Sequence, residues 1–196
     1  MEQETLALAD SLHTLWEANP KKRKLLGLDW GEKRLGLSVS DRLGIIASPL
    51  TILTLKQVPP SPKRPSKVAR SFKATATKKE AEETKRRIAA ANRAALVRIV
   101  RSEDPLAVVV GLPVNMDGSL GFQARKVLAF AEDLKAALSL PLIFQDERWS
   151  SAAVERLFID ADATRAQRLK RVDKAASAYM LQAVLDYLNK PRVNEG

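Results

Sequence analysis

Three apolar, strand-like segments near residues 24–29, 34–40 and 44–54 follow one another with connections too short to hold a helix. Gly31 and Gly44 fall in those connections, so the spacing predicts an antiparallel meander. After residue 79 the rhythm changes. Ile88, Ala91, Ala95 and Ile99 mark one apolar face of a helix over 79–101, with charges on the other side. Residues 106–110 are a continuous apolar run, as a central strand buried on both faces requires. A helix follows over 122–138, with Val127, Phe130, Leu134 and Leu138 aligned, and then a short strand over 141–145. A short helix over 150–159 and a last one over 173–189, with Ala176, Met180, Val184 and Leu188 inward, complete the order. Helical crossovers make the late strands parallel to the first. The expected fold is therefore α/β: a mixed five-stranded sheet, three antiparallel then two parallel strands, flanked by helices.

One folded unit over 24–190 is expected, preceded by an extension over 1–23 and followed by a tail over 191–196. In the extension, Leu8, Leu12, Leu15 and Trp16 share one helical face, and Pro20 with the basic run 21–24 ends it. His13, the sole histidine, borders that stripe and reads as a packing or surface residue. The net charge of +10 is concentrated: residues 56–101 hold 14 Lys/Arg against three Glu, whereas the remainder is nearly neutral. An insertion at about 56–80 carries four of the ten prolines and reads as a flexible, extended basic loop. Such a patch suits a polyanion, nucleic acid first. No apolar run approaches the roughly 20 residues needed to span a bilayer, and the acidic N-terminus lacks a secretory pattern. A cytoplasmic protein with no membrane partner is expected. The absence of cysteine excludes thiolate sites, so any metal must be held by oxygen, which favours Mg2+ or Mn2+.

In an open α/β sheet ligands bind beyond the carboxyl ends of parallel strands. At that edge the expected topology gathers Asp29 after the first strand, Gly111 after the fourth, and Asp146, Glu147 and Arg148 after the fifth. Asp173, at the expected start of the last helix, can join them. Three neighbouring carboxylates repel unless cations neutralise them, and two divalent ions about 4 Å apart would also serve phosphodiester hydrolysis. Read singly, Asp29 is also a turn former, Asp173 a helix-start acid and Glu147 an ion-pair partner. Around this edge, Lys33 and Arg34 border the Asp29 turn, and Asn115, Asp117 and Gly118 form a second turn. Arg165, Arg168, Lys170, Arg171 and Lys174 surround Asp173 and could guide a phosphodiester strand.

The segments LLGLDWGEKRLGLSVSD, VVVGLPVNMDGSLGFQA, QDERWSS and RVDKAASAYMLQAVLD, in this order, resemble the YqgF/RuvX family. The likeness covers roughly 24–55 and 105–188. It implies an RNase H-like fold and the activity assigned to members, Holliday-junction resolution or pre-16S rRNA cleavage. It also implies that Asp29, Glu147 and Asp173 are the catalytic, metal-holding acids, with one or two ions. Residues 1–23 and about 56–80 have no counterpart in a minimal member. Trp149 stands where an aliphatic residue is more usual, and the fourth strand ends in Gly111 rather than an acid.

The expected function is metal-dependent cleavage of structured nucleic acid, with processing of the 5′ end of pre-16S rRNA first. Branched DNA cut by a homodimer is the alternative, and a non-catalytic rRNA-binding assembly factor a further one. An ATP-binding relative of the actin/hexokinase type also places Asp-x-Gly after its first strand, but normally needs a much longer chain.

Overall fold

The computed structural model describes residues 12–58, 74–146 and 165–190; side chains in the helices opening the last two segments are described from 79 and from 175. The element order is α1 (12–18), β1 (Leu25–Trp30), β2 (Arg34–Ser40), β3 (Ala47–Thr54), α2 (Ala74–Glu103), β4 (Ala107–Leu112), α3 (Phe122–Leu138), β5 (Leu142–Asp146) and α4 (Arg165–Leu188). One five-stranded sheet has the order β3-β2-β1-β4-β5. β2 pairs antiparallel with β1 and β3, while β4 pairs parallel with both β1 and β5. The mixed sheet expected from the sequence is thus present, with its three parallel strands adjacent.

Alternation along each strand sorts side chains onto two faces. Leu25, Ala107, Val109 and Ile143 bury against α4 through Met180, Leu181, Val184 and Leu185. Leu26, Leu28, Leu35, Leu37, Val108 and Val110 bury against α2 and α3 through Leu96, Val100, Val127, Leu134 and Leu138. Helices cover both faces, which is why β1 and β4 are apolar at nearly every position. Among the described residues no helix is long and apolar enough to cross a membrane.

The close approach of α4 to the sheet depends on Gly27. A Cβ there would overlap Ser38 Oγ and lie 3.1 Å from both Leu181 Cβ and the Ser177 carbonyl oxygen. Ser38, fully buried, donates to that carbonyl at 2.8 Å, fixing β2 to α4 across β1. Gly27→Ala is therefore expected to cost about 1–3 kcal/mol through overpacking. A fall in urea midpoint without a change of slope would measure it; an unchanged midpoint would show that α4 yields freely.

Several boundaries differ from the sequence reading. β3 begins at Ala47 rather than 44, because Asp41 accepts backbone N–H bonds from Leu43 (3.1 Å), Ile45 (2.6 Å) and Ile46 (2.9 Å) and holds 41–46 as a turn. Gly44 supplies the left-handed φ of +68° that this turn needs. α2 runs beyond its expected 79–101, taking the end of the insertion into the helix. α4 begins at Arg165, not near 173, since no Gly or Pro interrupts its basic first turns. α3 matches its expected limits, and the helix expected over 150–159 lies outside the described residues.

The N-terminal extension is not a mere appendage over its described part. Leu12 and Trp16 are buried in the core beneath α4, Leu15 packs beside them, and the Arg23 guanidinium lies 5.4 Å from the Trp16 ring centroid. Leu8 lies outside the described residues.

Candidate functional site

The parallel pairing sets the site's frame. Leu28 pairs with Val110 and Val110 with Phe144, so the next residues, Asp29, Gly111 and Gln145, form one row across the carboxyl edge. By alternation that row lies on the α4 face, continuing the positions of Leu25, Val109 and Ile143. On its other flank Asp29 pairs with Gly36 of β2. A half-buried carboxylate thus stands between glycines on both neighbouring strands.

The opening is a shallow pocket of ≈ 310 Å³ lined by Asp29, Gly31, Glu32, Lys33, Arg34, Gly36, Ile52 and Ala176. Its rim is the β1–β2 turn. Gly31 N–H donates to the Arg34 carbonyl at 2.9 Å, and a Cβ on Gly31 would come within 2.8 Å of that oxygen. Leu55 N–H donates to the Lys33 carbonyl at 2.9 Å, tying the turn to the end of β3. Glu32 pairs with Lys126 of α3 at 2.5 Å. The Lys126 hydrogen bond, then its charge, hold the Glu32 carboxyl below its ordinary pKa. Lys33 and Arg34, both exposed, flank the mouth as cations.

Ala176 brings α4 to the pocket wall. Asp173 lies three residues earlier in the same helix, one turn nearer its N-terminus, and is the ninth residue of α4 rather than its cap. The reading of Asp173 as a helix-start acid is thereby removed. Its side chain, and those of Arg168, Lys170, Arg171 and Lys174, lie outside the described set, as do Glu147, Arg148 and Trp149 entirely. Among the described residues no three His, Cys, Asp or Glu side chains gather as a metal site; Asp29 is the one expected ligand whose side chain is described. Asp146 follows the alternation of Leu142 and Phe144 and belongs to the α2/α3 face, opposite Asp29. His13 is part-buried on α1 and is not among the pocket residues.

The β4–α3 turn emerges at the same edge and is organised from within. Asn115 N–H donates to the Ser119 carbonyl at 3.0 Å, and its side-chain amide to Ser119 Oγ at 2.9 Å. Asp117 accepts from Ser119 Oγ (2.6 Å) and N–H (2.9 Å), bonds that lower its pKa, and Gly118 has φ +81°. These bonds account for Asn115, Asp117 and Gly118 as turn formers. Sequence reasoning missed Gly36 and Ala176 as pocket walls. Both are visible as small residues, but only strand register and helix placement bring them to Asp29.

The family described as "RuvX: Holliday junction resolvase" matches residues 67–187. Curated relatives named "Putative pre-16S rRNA nuclease" include one from Acidiphilium cryptum, 36% identical over 90% of this chain and 92% of its own. Another, from Zymomonas mobilis, is 36% identical over 94% of each chain. A third, from Chelativorans sp., is 36% identical over 95% of this chain and 97% of its own. A solved structure of T. thermophilus RuvC in complex with Holliday junction substrate overlaps 86% of this chain with a TM-score of 0.47 at 18% identity.

Proposed function

The chain belongs to the RuvX family, and from that premise we propose that it is a metal-dependent nuclease cleaving phosphodiester bonds at the 5′ side of precursor 16S rRNA. The observation that carries this reading is Asp29, open at the carboxyl edge between Gly36 and the row of Gly111, with α4 forming the pocket wall through Ala176. An acid so placed reaches a phosphodiester backbone that a larger neighbouring side chain would exclude.

Asp29, with Glu147 and Asp173, would hold one or two Mg2+ or Mn2+ ions; an all-oxygen donor set fits hard cations of this kind. Bound there, such an ion supplies activation of water and charge neutralisation at the phosphate. The chain's own residues orient the substrate. Lys33 and Arg34 at the mouth attract and register the phosphate backbone, and the Glu32–Lys126 pair holds their turn against α3. Arg148, Arg168, Lys170 and Arg171 would extend that contact along the strand, and Asn115 would meet it through the turn it shapes. A pre-rRNA substrate would put the protein in the cytoplasm.

The family description favours a second reading, cleavage of a four-way DNA junction, whose two-fold symmetry would suit a symmetric pair of subunits. Matched substrates, a 5′-extended 16S precursor fragment and a four-way junction, decide between them in Mg2+, Mn2+ and EDTA. Cleavage of the RNA alone, abolished by EDTA, is expected. Preferential junction cutting would transfer the assignment to DNA, and tight binding without cleavage of either would make the protein an assembly factor. Lys33→Ala is expected to weaken binding and to flatten the salt dependence of log affinity by about one. An unchanged slope would remove Lys33 from the phosphate path.

A further inference from the structure

We propose that Phe122 is a stacking platform for an unpaired base of the substrate strand flanking the cleavage position, an inference that rests on the nuclease reading above. Phe122 opens α3, directly after the turn that leaves β4 at the site edge. α3 buries Ala124, Val127, Ala131, Leu134 and Leu138, and Phe122 is outside that face with 74% of its surface exposed. The phenyl ring therefore does not serve the core.

Its position relative to the site is set by one lysine. Lys126, one helical turn on, lies 4.3 Å from the centroid of the Phe122 ring. The same ammonium pairs at 2.5 Å with Glu32, which lines the Asp29 pocket. Ring, cation and pocket rim are thus linked in series. The cation restrains the ring against the helix, and most of the ring stays open to solvent. An exposed ring with one ammonium over it, and a second, Lys33, in the pocket that Glu32 also lines, matches a nucleotide unit, whose base stacks and whose phosphate is anionic. An apolar protein partner would match the ring but not the cations Lys33 and Arg34 among the pocket residues. Base–aromatic stacking is tolerant of sequence, so Phe122 would select an unpaired strand rather than a particular base. Cleavage would then prefer sites flanked by single-stranded nucleotides.

The test uses the full chain with Phe122→Leu, which keeps apolar bulk at an exposed position, and Phe122→Trp, which keeps the aromatic face. Oligonucleotides carrying 2-aminopurine, or an abasic nucleotide, at successive flanking positions are titrated in EDTA so that binding is read without cleavage. Wild type and Phe122→Trp are expected to quench 2-aminopurine at one position. Phe122→Leu is expected to lose that quench and bind about 5- to 150-fold more weakly, while an abasic nucleotide at that position erases the difference. With metal, Phe122→Leu should raise KM and leave kcat within about twofold. Undiminished quench and affinity in Phe122→Leu overturn the proposal, even if the enzyme cuts normally and the nuclease reading stands. A wild type that quenches and binds but cuts nothing overturns the nuclease reading and leaves the platform in place. A wild type that does neither overturns both.

Discussion

Asp29→Asn is expected to reduce cleavage by more than about 100-fold while leaving the fold and nucleic-acid affinity close to wild type. The substitution keeps the shape and one acceptor oxygen but removes the negative charge that a divalent ion requires. Loss of an outer-shell partner typically costs 10–100-fold in metal affinity or activity, so loss of a ligand should cost more. Stability should not fall, because Asp29 is only half-buried at a strand end and its charge works against any acids gathered beside it. Single-turnover rates with saturating Mn2+ give the first quantity, and anisotropy in EDTA gives the affinity. Cleavage retained within threefold would exclude Asp29 from the chemistry and with it the family's acidic assignment for this chain. Weakened binding together with lowered melting temperature would instead mark Asp29 as structural.

Trp16→Ala is expected to destabilise the protein by about 3–5 kcal/mol, the range for large aromatic truncations in a core. Trp16 is 1% exposed, lies in the α4-side core, and fills the space that a Cβ on Gly44 would occupy. For a chain of this size the loss corresponds to a melting-temperature drop of roughly 6–20 °C. Trp16→Phe should recover part of it. Calorimetry checks the size of the shift, and cleavage rates well below the transition should be unaffected, since Trp16 is not among the pocket residues. A loss below about 1 kcal/mol would show that the N-terminal extension does not unfold with the sheet.

Much of the architecture was legible in the residues because it is written in local periodicity. The continuous apolar run before Gly111 announced a strand buried on two faces, and β4 is that strand. The stripe through Val127, Leu134 and Leu138 gave the helix α3 with its observed limits. The meander and the parallel late strands followed from connection length. Errors arose where side chains override propensity. Asp41 holds three backbone N–H groups and delays β3, and an uninterrupted basic run carries α4 eight residues back from Asp173. The partner of the extension is not legible in the sequence, because an amphipathic stripe announces burial without saying against what.

The site divides in the same way. Asp29 was recognisable from its place at the end of an apolar run, since a carboxylate there needs a reason. That Asp146 belongs to the opposite face, that Gly36 and Gly111 flank Asp29 on its two neighbouring strands, and that Phe122 is exposed on the helix turn whose Lys126 reaches Glu32 are matters of register and packing. Amino-acid order by itself determined which segments are strands or helices and which acids were worth suspecting, because hydrophobic period and turn chemistry act over a few residues. Only the tertiary structure decided which side chains share a face and what they meet. Pairing and packing join residues far apart in the chain, and a shift of one position would turn each strand's side chains to the other side of the sheet.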